Sequence, residues 1–269
     1  MIGGRRGAGE PGQKLPILGV LRTVWEVYKR RWPVLVGLSL IVLLPQAIAD
    51  AAFGDVTVDE IRNAGDVLKL ATIPFTVGIN LGGEALYAGL IAAGVQQWMR
   101  GRELRDIPGV IREIRLGRLI AIDLILVAGT ILGLALLVIP GIVFYTYFAA
   151  SPALVELDDL KIGTAMRRSF EIVRGNFTRV LAFIGLVVLV SDGAMLILEA
   201  PLHGLTGEAV WNLVLEAVFE PVQGLTTVFL ALALLDIRGE DRRLEAFAAR
   251  LRATPAERDW AARARTTAD

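Results

Sequence analysis

The chain has 269 residues, 54% of them hydrophobic, and its 28 basic and 28 acidic side chains cancel. Its apolar residues are gathered into long runs, and Leu119–Val155 holds one charge, Asp123. That excludes an ordinary soluble enzyme and points to a membrane. There is no Cys and a single His, His203, so disulfides, thiol catalysis and histidine-rich metal sites are excluded.

Residues 1–14 are rich in Gly and Arg and are expected to be disordered. The first 30 residues have no apolar h-region, so no cleavable signal peptide is expected. Pro16 suits the first turn of a helix running to about Tyr28. At helical spacing Ile17, Leu18, Val20, Leu21, Val24, Trp25 and Val27 fill one broad face, with Arg22, Glu26 and Lys29 on the other. Such a helix is expected to lie among lipid headgroups.

A helix needs about 20 apolar residues to cross a bilayer. Six segments qualify: Trp32–Phe53, Ala71–Trp98, Leu119–Val138, Gly141–Val155, Phe177–Ala200 and Ala209–Leu235. As one helix, Leu119–Val155 would be about 55 Å long, too long for one crossing. A tight hairpin turning at Ile139-Pro140-Gly141 is expected instead. All basic residues except Arg62 and Lys69 fall on alternate loops or at the termini. This places both termini in the cytoplasm by the positive-inside rule.

Residues 244–269 form an expected cytoplasmic tail, with Leu244, Phe247 and Leu251 on one helical face. Trp25–Trp32 and Phe170–Phe177 repeat an aromatic, Glu, aliphatic, base and aromatic order, and Arg112–Leu119 is a weaker copy. The expected fold is therefore all-α, within a membrane domain over residues 15–243. It has six transmembrane helices as three hairpins, each preceded by a cytoplasmic amphipathic helix.

Pro152-x3-Glu156, Ala165-x2-Arg168-Ser169, Val173-x-Gly175 and the closing Asp236-Ile237-Arg238 carry a resemblance. From about Pro16 to Arg243 the sequence resembles the bacterial glycerophosphoryl diester phosphodiesterase membrane-domain family and related six-span families. One departure is Leu234-Leu235, where that family has a Tyr pair before the Asp. In some relatives the membrane unit is fused to a soluble barrel that cleaves glycerophosphodiesters. Such a barrel takes about 250 residues, and no soluble stretch of this sequence approaches it. Phosphodiesterase activity is therefore not expected.

Ionisable groups inside spans are costly and are functional candidates. Glu84 lies one turn from Asn80 in the second span, and Asp192 lies inside the fifth. Glu216, Glu220, Gln223 and Thr227 form one stripe of the sixth, where Pro221 frees a backbone carbonyl. No basic residue lies at a similar depth to pair with these acids. They are expected to line an outer polar cavity that takes up protons or binds a cationic or hydroxyl-rich headgroup. On the opposite side, Glu156, Arg168, Asp236 and Arg238 are expected to form an ion-pair network. Ser169 is expected to serve there as a cap or hydrogen-bonding group, not as a nucleophile.

No Walker A, Gly-x-Ser-x-Gly or His-Glu-x2-His motif is present, and no metal or other cofactor is expected. The bases lie without interleaved stacking aromatics, so nucleic acid is not an expected partner. The expected role is non-catalytic, in lipid and envelope homeostasis of a bacterial cytoplasmic membrane. Expected partners are membrane lipids, with a partner membrane protein or a second copy as further candidates. The alternatives are an intramembrane lipid-phosphate enzyme, or an anchor for a partner protein.

Overall fold

The computed structural model describes residues 14–53, 73–100, 107–199, 201 and 208–252. Among them all regular structure is helical: α1 Ile17–Phe53, α2 Ile73–Met99, α3 Ile107–Glu113, α4 Leu116–Leu136, α5 Val138–Phe148, α6 Ser151–Leu157, α7 Ile162–Arg174, α8 Phe177–Glu199, α9 Glu208–Ile237 and α10 Arg243–Arg252. Four stretches are long and apolar enough to cross a membrane: Leu116–Leu136, Val138–Leu157, Phe177–Leu198 and Val210–Ile237. The second joins α5 to α6 through Ala149 and Ala150, both in right-handed helical conformation. The first two expected spans fall on α1 and α2, partly outside the described residues.

The centre of the bundle is α9. It packs against α1, α2, α6, α7, α8 and α10. Its span is 61% buried inside the protein, against 17% for α4, so α9 is the core helix and α4 a peripheral one. Val228–Leu235 is apolar all round, and every one of its side chains is buried. Such a stretch suits either a protein core or lipid, and the packing of α9 puts it among other helices. The outer faces of α4 and α8 instead expose Leu124, Ile131, Leu132, Leu189 and Ile197. An apolar belt of this kind is stable against lipid.

The break between α4 and α5 lies at Leu137, not at the expected Ile139-Pro140-Gly141. Leu137 is extended (φ −164°, ψ 144°) and caps both helices. Pro140 is the third residue of α5, where a missing N–H costs no intrahelical bond. The proline therefore starts the second helix instead of ending the first. Glycine permits the tight packing beyond this corner. A Cβ on Gly133 would come 2.6 Å from Gly141 Cα, and one on Gly129 would come 2.3 Å from Phe144. The pairing of residue 129 with 144 and 133 with 141 makes the two helices antiparallel.

A second difference concerns the expected amphipathic helix ending near Tyr28. It does not end there: α1 runs unbroken for 37 residues, through Pro33 and Pro45. No Gly or Asn stands between Tyr28 and Trp32 to stop it. The corresponding stretch before α8 does contain Gly175-Asn176, and there the chain turns. In α1 the expected broad face divides. Val20, Val24 and Val27 are buried in the protein, while Leu18, Trp25 and Trp32 are exposed at seven-residue spacing. Lys29 Nζ sits 5.7 Å over the Trp25 ring, a pairing suited to a headgroup layer.

The tail helix α10 folds back onto the bundle. Its apolar face meets protein: Leu244, Phe247 and Ala248 are buried, and the Phe247 ring stacks on Phe229 at 6.0 Å. The reversal is made at Gly239, whose φ of 69° favours glycine. Glu240 N–H bonds to Leu235 O at 3.1 Å, and Gly239 N–H to Asp236 O at 2.8 Å. Together these make a Schellman cap on α9.

Candidate functional site

Two cavities meet at α9. The first, about 330 Å³, lies between α8 and α9 and is lined by Asp192, Met195, Leu196, Glu216, Phe219, Glu220 and Gln223. The second, about 490 Å³, lies between α2, α4, the α5–α6 span and α9. Its polar lining is Tyr87, Asp123, Thr130, Tyr145, Glu220, Gln223 and Thr227, and the rest is apolar. Glu220 and Gln223 line both cavities. The helical stripe read from the sequence is what places them there. Glu216 stands at one end, exposed, and Thr227 at the other.

The turn around Pro221 is held from outside the helix. Proline removes one main-chain donor and crowds the carbonyls of the preceding turn. The Tyr28 hydroxyl donates to Val218 O at 2.9 Å in that turn. One turn further on, Thr227 Oγ1 donates to Gln223 O at 3.2 Å. On the α2 side the Tyr87 hydroxyl shares a 2.9 Å hydrogen bond with the fully buried Ser39. Thr130 Oγ1, on the α4 wall, is shielded from solvent and has no hydrogen-bond partner among the described residues.

The structure thus brings Asp192, Glu216, Glu220 and Gln223 together in one cavity. Asn80 and Glu84 are helical positions of α2, but their side chains lie outside the described residues, as does His203. Sequence reasoning did not assign Asp123 to the polar cavity. Asp123 is part of the cavity wall, with Thr130 seven residues on along the same face of α4. The available signal was that Asp123 is the one charge in a 37-residue apolar run.

At the other end of the bundle, the expected ionic network is built with other partners. Arg168 pairs with Glu240 and lies 3.8 Å from Glu171. Arg238 donates to the Glu171 carbonyl. Glu156 accepts the Arg115 backbone N–H at 3.1 Å, and no described ion pair joins it to Arg168. Asp236 is in no ion pair among the described residues. Arg243 instead joins α10 to Asp158 at 2.9 Å and also pairs with Asp241. Burial pulls the Arg243 guanidinium down, but these two carboxylates outweigh it and hold it above its ordinary value. Ser169, fully buried, donates to Tyr147 O at 2.7 Å, so it is a structural hydrogen-bonding group.

No group of three or more potential metal-ligating side chains occurs among the described residues. The fold and the apolar belt define an all-helical membrane protein. Comparisons with protein-family models, with curated proteins and with solved structures return no match for this chain.

Proposed function

We propose that this chain is a non-catalytic six-span protein of the bacterial cytoplasmic membrane with both termini in the cytoplasm. It binds an amphiphile in the two neighbouring cavities and serves lipid homeostasis, by holding that amphiphile or passing it between leaflets. The observation that carries this reading is the sharing of Glu220 and Gln223 by both cavities. Polar groups then run from the groove between α8 and α9 to a second groove whose walls are largely apolar. Such a mixture is usual for sites that hold a small ligand by its apolar part and orient it by a few polar groups. Carboxylates of Asp123, Asp192, Glu216 and Glu220 favour a headgroup bearing an amine or hydroxyls. The resemblance to a membrane domain found beside glycerophosphodiester chemistry also supports a lipid-linked role.

The test is mass spectrometry of lipids that co-purify in mild detergent with wild type, Glu220→Gln and Asp192→Asn. One lipid class retained by wild type and lost from both variants is expected. The same lipids in all three would overturn the reading.

A further inference from the structure

A third cavity, about 470 Å³, lies away from the other two, where the end of α2, α3 and the end of the α5–α6 span converge. Its polar lining includes Gln97, Arg100, Arg112, Arg115, Glu156 and Asp159. We infer that this cavity is a phosphate site, taking a phosphate monoester or diester through Arg100 and Arg112. It does not rest on what the other cavities hold.

The charge inventory supports an anion. Asp159 is already engaged by two arginines: Arg115 Nη2 at 2.6 Å and Arg118 Nη1 at 2.8 Å. Glu156 takes the Arg115 backbone N–H. Arg100 and Arg112 are in none of the ion pairs of the described residues. Among the described residues, four guanidinium groups therefore stand near two carboxylates, and the two that are in no such ion pair line the cavity. A guanidinium fork matches phosphate oxygens bidentately.

Arg100 and Arg112 are exposed, and the wall beside them is held in place by the fold. Asp159 holds a left-handed backbone (φ 52°), uncommon for a residue with a side chain. In that conformation it fixes Arg115 and Arg118 together. Gln96 Nε2, in the cavity lining, ties α2 to the Glu156 and Leu157 carbonyls at 3.0 and 3.3 Å. The depth fits a headgroup. Arg115 directly precedes the Leu116–Leu136 span, and Asp159 follows the Val138–Leu157 span by two residues. Basic pockets at this level select anionic lipid phosphates.

The test follows thermal unfolding of the purified full chain in neutral detergent at constant ionic strength. The probes are short-chain phosphatidylglycerol, phosphatidylcholine and inorganic phosphate. Phosphatidylglycerol is expected to raise Tm in wild type and in Arg167→Gln, a basic change outside the cavity. In Arg100→Gln/Arg112→Gln its apparent affinity should fall at least tenfold. An equal rise with inorganic phosphate would assign the site to free phosphate, and a rise with phosphatidylglycerol alone to a lipid headgroup. Equal responses of wild type and the double variant, or loss of response in Arg167→Gln, would overturn the inference. Should the double variant not fold, Arg112→Gln alone carries the same comparison.

Discussion

Asn176 Oδ1 accepts the backbone N–H of Leu15 at 3.1 Å, across 161 positions of sequence. Arg179 Nη1 donates to the Leu15 carbonyl at 3.0 Å, so both main-chain groups of this one residue are held by the start of α8. Leu15 itself is fully buried. The start of α1 is therefore clamped to the bundle. Asn176→Ala removes one arm and leaves a partly buried donor without a partner. It should cost about 1 kcal/mol, read as a lower unfolding midpoint and faster proteolysis near the N-terminus.

Gly133 and Gly117 make a matched pair on α4. A Cβ at Gly133 would meet the Gly141 backbone, whereas one at Gly117 would meet nothing within 4 Å. Gly133→Ala is expected to destabilise by about 1–3 kcal/mol. Gly117→Ala is expected to be neutral or slightly stabilising, since alanine restricts the unfolded chain. Thermal unfolding of the two variants side by side in detergent checks the contrast; equal midpoints would show that the helices do not approach as closely as described.

Gly239 is the hinge by which α10 returns to α9. Gly239→Ala places a side chain at positive φ and should cost about 1–2 kcal/mol. Phe247→Ala removes the ring stacked on Phe229. Both changes should loosen α10 before the rest of the bundle unfolds. Limited proteolysis is expected to cut the C-terminal segment earlier in both, with the larger effect in Phe247→Ala.

The proposed six-span topology can be mapped directly, because the chain has no cysteine of its own. Single cysteines at Val210 and Arg167 occupy exposed positions at opposite ends of the bundle. An impermeant thiol reagent applied to intact cells should label the first only. Labelling of the second without permeabilisation would reverse the orientation or change the span count.

The sequence made the helical membrane class readable because runs such as Leu119–Val155 admit little else. It also made the Glu216–Thr227 stripe readable, because helical spacing alone decides which side chains share a face. Two features were not readable. The buried faces of the first amphipathic helix and of the tail look, in sequence, like faces made for lipid. Whether Val24 or Phe247 meets a lipid chain or a neighbouring helix depends on tertiary packing, and periodicity carries no information on that choice. The partners of Arg168 and Glu156 were misread for a related reason. Long charged side chains pair with whichever group the fold brings near, and Glu240 and the Arg115 backbone came nearer than the residues expected.

The single-residue corner at Leu137 has a consequence for anything approaching from outside the cell. Leu136, Leu137, Val138 and Ile139 are all exposed apolar side chains among the described residues, and only Leu137 separates α4 from α5. In the proposed orientation this part of the protein offers no polar handle to an antibody, a protease or a docking partner. It ends as a greasy tip suited to lipid, so recognition from that side falls to other parts of the chain.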